Sequence, residues 1–287
     1  MIDLHCHTKV SDCSYTNEEV IAMAKQRGVT NLAITNHDTT DGLKDAIRIG
    51  KQAGVNIIPG IEISAFDTKR GRRAHLLGLY ITPGHPSIKE LCQPLVEKRH
   101  LVSKMMVERI IAAGYDITWE QVKALAEGGT GVYKQHIMHA LLEKGYTKTI
   151  YGALYKELFR RGSDTEGAGI AFIPIDYIPA EEAIRTIQEA GGIPILAHPG
   201  QFDNFEAAEE WVGIGLKGIE VKHPLHDANH RVKAIDLAQR FDLIQTGGSD
   251  FHGFYSDTDS TIGSYTTDPI QFDRLMEHKS NVLLELD

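Results

Sequence analysis

Three cysteines, Cys6, Cys13 and Cys92, are too few and of the wrong parity for a disulfide framework, and no two of them form a CxxC pair. A reducing, cytoplasmic setting is therefore expected. Basic residues are also in deficit: 30 Lys and Arg against 39 Asp and Glu leave a formal net charge of −9. A surface of that sign is not built to hold long duplex nucleic acid or an anionic membrane non-specifically. No apolar run is long enough to span a bilayer. The first residues lack a basic stretch followed by an apolar one, so no secretory leader is expected. Repeats, low-complexity tracts and flexible linkers are missing as well. What remains is an ordinary globular composition, 42% hydrophobic and 24% charged over 287 residues, with histidine, 14 in all, as its one surplus.

Along the first 80 residues strand and helix patterns alternate. "IDLHCH", "VTNLAIT" and "VNIIPGIEIS" read as strands, and "RRAHLLGLYI" follows a "DTKRGR" turn as another. Between them lie helical stretches; in "TNEEVIAMAKQRG", Thr16 is placed to cap, Glu19 to complete a capping box and Gly28 to stop the helix. This rhythm predicts an α/β fold with a mostly parallel sheet or barrel. From residue 83 to 170 helical periods follow one another without strands, which predicts an all-helical insertion. The alternation then resumes to the end, with "NVLLELD" expected as the last strand. The expected organisation is a barrel in two parts, 1–82 and 171–287, interrupted by a helical cap at 83–170.

The histidines fall where these strands end. His5 and His7 are two apart and so share one side of an extended segment. "AITNHD" ends on His37 and Asp38, "PGIEIS" carries Glu62, "RRAHLLGL" carries His75, "ILAHPG" ends on His198, and "GGSDFH" supplies Asp250 and His252. Asp12 follows closely on the opening pair. In parallel α/β folds the carboxyl ends of the strands gather at one face, and that face carries the site. Each residue alone has a bland explanation: HxH recurs by chance, and Asp12 could be a turn residue. Glu62 is harder to set aside, because a carboxylate in an apolar strand is costly unless paired or metal-bound. Taken together they form a His/Asp/Glu donor set suited to Zn²⁺, Mn²⁺ or Fe²⁺. About nine donors exceed the needs of one ion, so two or three ions sharing a carboxylate are expected. Clustered divalent ions hydrolyse phosphate esters.

The motifs "DLHCHTKVSD", "ITNHDT", "PGIEIS", "HLLGLYI", "LAHPG" and "GSDFHG" resemble the PHP (polymerase and histidinol phosphatase) family of metal-dependent phosphoesterases. The resemblance implies a distorted, seven-stranded (βα)7 barrel with three divalent ions, manganese first, with zinc or iron as alternatives. It implies that His5, His7, Glu62 and Asp250 hold one ion. Glu62 would bridge to a second ion on His75 and His198, and Asp12, His37 and His252 would hold the third. A hydroxide bridging two ions would attack phosphorus, and Asp250, His198 or His252 would pass a proton to the leaving group. The insertion resembles that of a subgroup acting on small nucleotides or short oligonucleotides, as nucleoside 3′,5′-bisphosphate phosphatases or 5′-3′ exoribonucleases. There an R-x-H element reaches the site, and here Lys134 and His136 stand at the matching positions. His226, and behind it His223, is implied as a substrate contact; Arg72 and Arg73 precede a ligand strand and could meet phosphate. Asp38 is expected to hydrogen-bond a ligand histidine.

Two departures from the family pattern are Cys13, where glycine is usual, and Asn36, where aspartate is usual. Other substrates in keeping with the resemblance are a cyclic ribose phosphate and histidinol phosphate. A reading of another class is a metal-bound module without catalysis. The intact donor set and the free-standing chain argue against it.

Overall fold

The structure, a computed structural model, describes residues 1–163 and 166–285, with 280–285 as backbone only. The chain divides into two compact units, Met1–Gln93 with Tyr177–Asp287, and Pro94–Asp176.

The first unit is a barrel. Its strands are β1 (Ile2–Asp3), β2 (Asn31–Ile34), β3 (Asn56–Asp67), β4 (Arg72–Leu79), β5 (Ile178–Pro179), β6 (Ile193–Leu196), β7 (Gly218–Lys222) and β8 (Ile244–Gly247). Seven lie side by side in the order β1-β2-β3-β4-β6-β7-β8, and β5 adds to the outer stretch of β3. The seam closes where Leu4 N–H donates to Gly247 O (3.2 Å) and Asp250 N–H to His5 O (2.9 Å). Helices α1 (Asn17–Gln26) and α2 (Leu43–Ala53) join the first three strands. Thr16 caps α1 in the expected manner, its side chain accepting from Glu19 N–H while Glu19 Oε2 accepts from Thr16 N–H. Ile2, Leu4, Ala33, Ile58, Leu77, Leu79, Ile193, Ile195 and Ala197 fill the interior, with Leu275 packed on it.

The barrel departs from a parallel (βα)7 plan at β4, which is antiparallel to both β3 and β6. A tight turn rather than a helix joins β3 to β4, so the chain reverses at once. The reversal matters for the site. It brings the amino-terminal half of β4, with His75, to the end of the barrel where the other strands finish.

Helix α3 (Pro86–Ala112) crosses the boundary between the units. The second unit continues with α4 (Trp119–Leu125), α5 (Lys134–Glu143) and α6 (Ala153–Phe159). Val102, Met106, Ile110, Val122, Ile137, Leu141 and Leu158 form its core. Thr118 and Gln121 make a capping box at α4.

Back in the barrel, α7 (Ala180–Glu189), the short α8 (Pro199–Phe202) with α9 (Phe205–Val212), and α10 (Ala228–Arg240) connect the remaining strands, and α11 (Pro269–Glu285) ends the described chain. The expected strand "NVLLELD" is therefore wrong over 281–285, and its last two residues lie outside the described ones. Helix α11 starts with Asp268 Oδ1 accepting Ile270 N–H and lays Phe272 and Leu275 on the core. Leucine and glutamate then continue the helix at no cost in propensity. Among the described residues no helix is long and apolar enough to cross a membrane.

Candidate metal centre

His5 and His7 emerge from β1 into the barrel mouth, held by the seam: His7 N–H donates to Phe251 O (3.1 Å) and Cys6 bridges Phe251. The approach needs Gly248, where a Cβ would fall 2.3 Å from His5 Cβ and 2.4 Å from His5 N. After β2 the chain keeps pairing with β3, so that Glu62 N–H donates to Asn36 O and Asp38 N–H to Glu62 O (3.1 and 2.9 Å). This sets His37 opposite Glu62. Asp38, at a left-handed φ of 56°, accepts Ser64 N–H (2.7 Å) and so braces β3. His198 and Asp250, just past β6 and β8, also take positive φ, 22° and 48°. Backbone strain of this kind is tolerated where it aims functional side chains.

One quartet is tightly drawn. His5 Nε2 and His7 Nε2 lie 3.1 and 3.0 Å from Glu62 Oε2 and 3.2 and 3.1 Å from Asp250 Oδ1. The two nitrogens are 3.3 Å apart. A divalent ion with ligand bonds of about 2.0–2.2 Å sets neighbouring ligand atoms about 3 to 3.5 Å apart. The protonation pattern agrees. His5 Nδ1–H donates to the Glu220 carboxylate (3.2 and 3.3 Å), the tautomer that turns the Nε2 lone pair into the quartet for a cation. Asp250 Oδ1 is buried there and makes no hydrogen bond. These donors fit a cation.

Glu62 serves a second set through its other oxygen. Oε1 lies 2.7 Å from His75 Nδ1 and 2.9 Å from His198 Nε2. A third set joins Asp12, His7, His37 and His252. Asp12 Oδ1 lies 3.4 Å from His252 Nε2, and Oδ2 lies 3.8 Å from His37 Nε2. His252 Nδ1 donates to Asp250 O (2.9 Å), leaving its Nε2 lone pair toward Asp12. All nine residues expected at the centre thus meet at one end of the barrel. The donor groupings are broader than expected in three places: His7 also falls with Asp12, His37 and His252, His37 with Glu62 and His75, and His198 with His5 and His223.

The site's field suits cations. Burial pushes the Glu62 carboxyl up, but His37, His5 and His75 overcome it and hold it well below the usual carboxylate range. Burial is likewise outweighed at Asp250 by His5 and His252. At His5, burial opposes charge, yet Asp250, Glu62 and Glu220 lift the imidazole well above its ordinary value. Surroundings that favour imidazolium there favour any positive charge.

One residue escaped sequence reasoning. Glu220 is fully buried; besides His5 it accepts His198 N–H (2.9 Å). Its signal was available: "GIEVK" is a carboxylate in an apolar strand, as "GIEIS" is for Glu62. His223, also fully buried, receives Leu225 N–H on Nδ1, so Nε2 carries the proton and donates to Asp250 Oδ2 (3.2 Å). It steadies Asp250 and is buried, which corrects its expected role as a substrate contact. The expectation for His226 is corrected too: Nδ1 donates to Val221 O and Nε2 accepts Gly200 N–H (3.0 and 3.1 Å), leaving no free nitrogen for a substrate. In the helical unit His136 is buried, with Nδ1 accepting Tyr133 N–H as a cap (3.0 Å). The Lys134 ammonium lies 5.2 Å from the Phe159 ring centre. Asn36 Oδ1 accepts Thr8 N–H (2.8 Å) and Ser11 O–H (3.0 Å), so the amide keeps the loop of Asp12 in place without a charge. Cys13 is fully buried, and it is not among the residues with positive φ.

Residues 3–162 match the PHP domain. The chain belongs to the PHP family. Within it, the chain is 43% identical over 251 residues to the phosphoribosyl 1,2-cyclic phosphate 1,2-diphosphodiesterase of Eggerthella lenta, covering 88% of this chain and 94% of that protein. It is 31% identical over 260 residues to the 5′-3′ exoribonuclease Rnm of Salmonella typhimurium, covering 87% and 84%. Among solved structures, one from Bifidobacterium adolescentis superposes with a TM-score of 0.84 at 29% identity, over 96% of this chain and 94% of that one.

Proposed function

We propose that this PHP protein hydrolyses a phosphate ester of a small nucleotide or sugar phosphate, using divalent cations held at the barrel mouth. The observation that carries the reading is Glu62, whose two oxygens face two separate sets of imidazole nitrogens at 2.7–3.1 Å. Three ions, manganese first, are assigned to His5, His7, Glu62 and Asp250; to Glu62, His75 and His198; and to Asp12, His37 and His252. When bound, such ions acidify water and neutralise phosphoryl oxygens.

The chain's own residues do the rest. Glu220 and His223 fix the rotation of His5 and Asp250. His75, His37, Asp250 and His252, between 12 and 18% exposed, form the open side on which the ester would lie. Proton delivery to the leaving oxygen is assigned to Asp250, with His198 and His252 as the other two candidates. Lys134 and His136 remain assigned to substrate binding on the resemblance alone.

A second reading within the same chemistry is favoured by the 43% identity to the Eggerthella lenta protein: cleavage of a cyclic ribose phosphodiester rather than a nucleoside bisphosphate or a short RNA. The deciding experiment is a substrate panel with manganese: phosphoribosyl 1,2-cyclic phosphate, nucleoside 3′,5′-bisphosphates, short 5′-phosphorylated RNA and histidinol phosphate. The expected result is turnover of at least one of the first three, lost on chelation. A preference for histidinol phosphate, or no turnover of any, overturns the reading.

A further inference from the structure

On β4, Arg73 and His75 are two residues apart and face the same side of the strand, about 7 Å apart along it. His75 reaches Glu62, and Arg73 lies exposed at the outer end of the same row. Its basic neighbours are already engaged. Arg72 donates to the Asp203 carboxylate (2.6 Å) and carbonyl (2.7 Å). Arg70 pairs with Asp67 and Glu210, and Lys69 with Glu210. Arg73 makes no ion pair and donates no side-chain hydrogen bond among the described residues.

It is nevertheless held in place. Asn204 Nδ2 donates to its carbonyl (3.0 Å). Its guanidinium carbon lies 5.2 Å from the ring centre of Phe202 and 5.9 Å from that of Tyr177. Contacts of this kind use the charge without consuming an N–H donor. Phe202 also meets His75 edge-on, ring centres 5.2 Å apart, so one side chain ties the arginine to the metal centre. The outcome is an anchored cation with its five donors unspent, one strand repeat from a candidate ligand.

We propose that Arg73 recognises a second phosphate group of the substrate, carried about one sugar ring from the ester that is cleaved. This rests on the phosphoesterase reading and narrows it to small molecules bearing two phosphoryl groups. The planar fork of arginine matches two oxygens of such a group.

The test compares Arg73→Ala and Arg73→Lys with the unaltered protein, all loaded with manganese. The substrates are p-nitrophenyl phosphate, with one phosphate, and phosphoribosyl 1,2-cyclic phosphate and adenosine 3′,5′-bisphosphate, with two phosphoryl groups each. The quantity read is the KM of a two-phosphate substrate relative to that of p-nitrophenyl phosphate. It should rise about ten- to a hundredfold in Arg73→Ala, from the loss of a charge-assisted contact, with kcat little changed. Arg73→Lys should recover part of the loss. An unchanged ratio overturns the proposal. If the unaltered protein turns over nothing, the phosphoesterase reading fails, and Arg73 is then judged by calorimetry with ribose 5-phosphate. At least tenfold weaker binding in Arg73→Ala supports its role; equal affinity refutes it.

Discussion

Replacing Gly248 with alanine would test how the barrel seam carries the site. The added Cβ would meet His5 Cβ at 2.3 Å, His5 N at 2.4 Å and His5 Cα at 2.8 Å, all atoms that cannot swing aside. Restoring ordinary contact moves the His5 segment about 1 Å outward, and overpacking of this kind costs about 1–3 kcal/mol. The same shift loosens two seam hydrogen bonds, Leu4 N–H to Gly247 O and Asp250 N–H to His5 O, at about 0.5–1.5 kcal/mol each. The sum is about 2–6 kcal/mol. In urea, with a slope of about 3 kcal/mol per molar, the midpoint falls by about 0.7–2 M. The assay is urea unfolding of the chelator-treated protein, read by circular dichroism, with bound manganese measured separately. Gly248 is not among the glycines with positive φ, so the effect is steric rather than conformational. A midpoint within about 0.3 M of the unaltered protein, or unchanged manganese content, would refute the reasoning.

Glu220→Gln should weaken manganese binding about 10–100-fold, because His5 loses the carboxylate that orients it; competition with a fluorescent chelator measures this, and unchanged affinity would sink the assignment. Glu62→Gln should lower the metal content by more than one equivalent, by plasma emission spectrometry, whereas retention of every equivalent would remove Glu62 as a bridge. Burial pushes the Asp3 carboxyl up to about 6, against hydrogen bonds from Gly263 and Ser249 that pull it down. The folded state therefore holds this proton more tightly than the unfolded one. The contribution is fully present below the ordinary carboxylate pKa of about 4 and is lost as pH rises through about 6. The unfolding free energy of the unaltered protein relative to Asp3→Asn should fall by up to about 3 kcal/mol across that window; a flat difference in denaturation series from pH 4 to 7 would contradict it.

Much of this architecture could be read from residue order because its signals are local. Thr16 with Glu19, the apolar strands, and the histidines placed just past them each need only a few neighbours to interpret. What escaped depends on distant partners. The place of β4 in the barrel follows from its pairing with β6, more than a hundred residues away. Glu220 carries the same strand pattern as Glu62, but its partner His5 lies more than two hundred residues away. His226 carried the same letter as the donors, yet two backbone groups claim both its nitrogens. The ending "NVLLELD" has alternation enough for a strand, but the helix that starts at Pro269 runs on through its first five residues.

The junction of the first and last strands has a consequence for biosynthesis. His5 and His7 leave the ribosome long before Asp250 and His252. The hairpin that carries Glu62 and His75 needs only nearby residues and can form in microseconds, but the innermost quartet waits for Asp250. The quartet of a nascent chain would therefore stay incomplete until the segment after β8 emerges. Once that happens, any cation captured by the quartet staples β1 to the end of β8 and draws the folding equilibrium toward the closed ring.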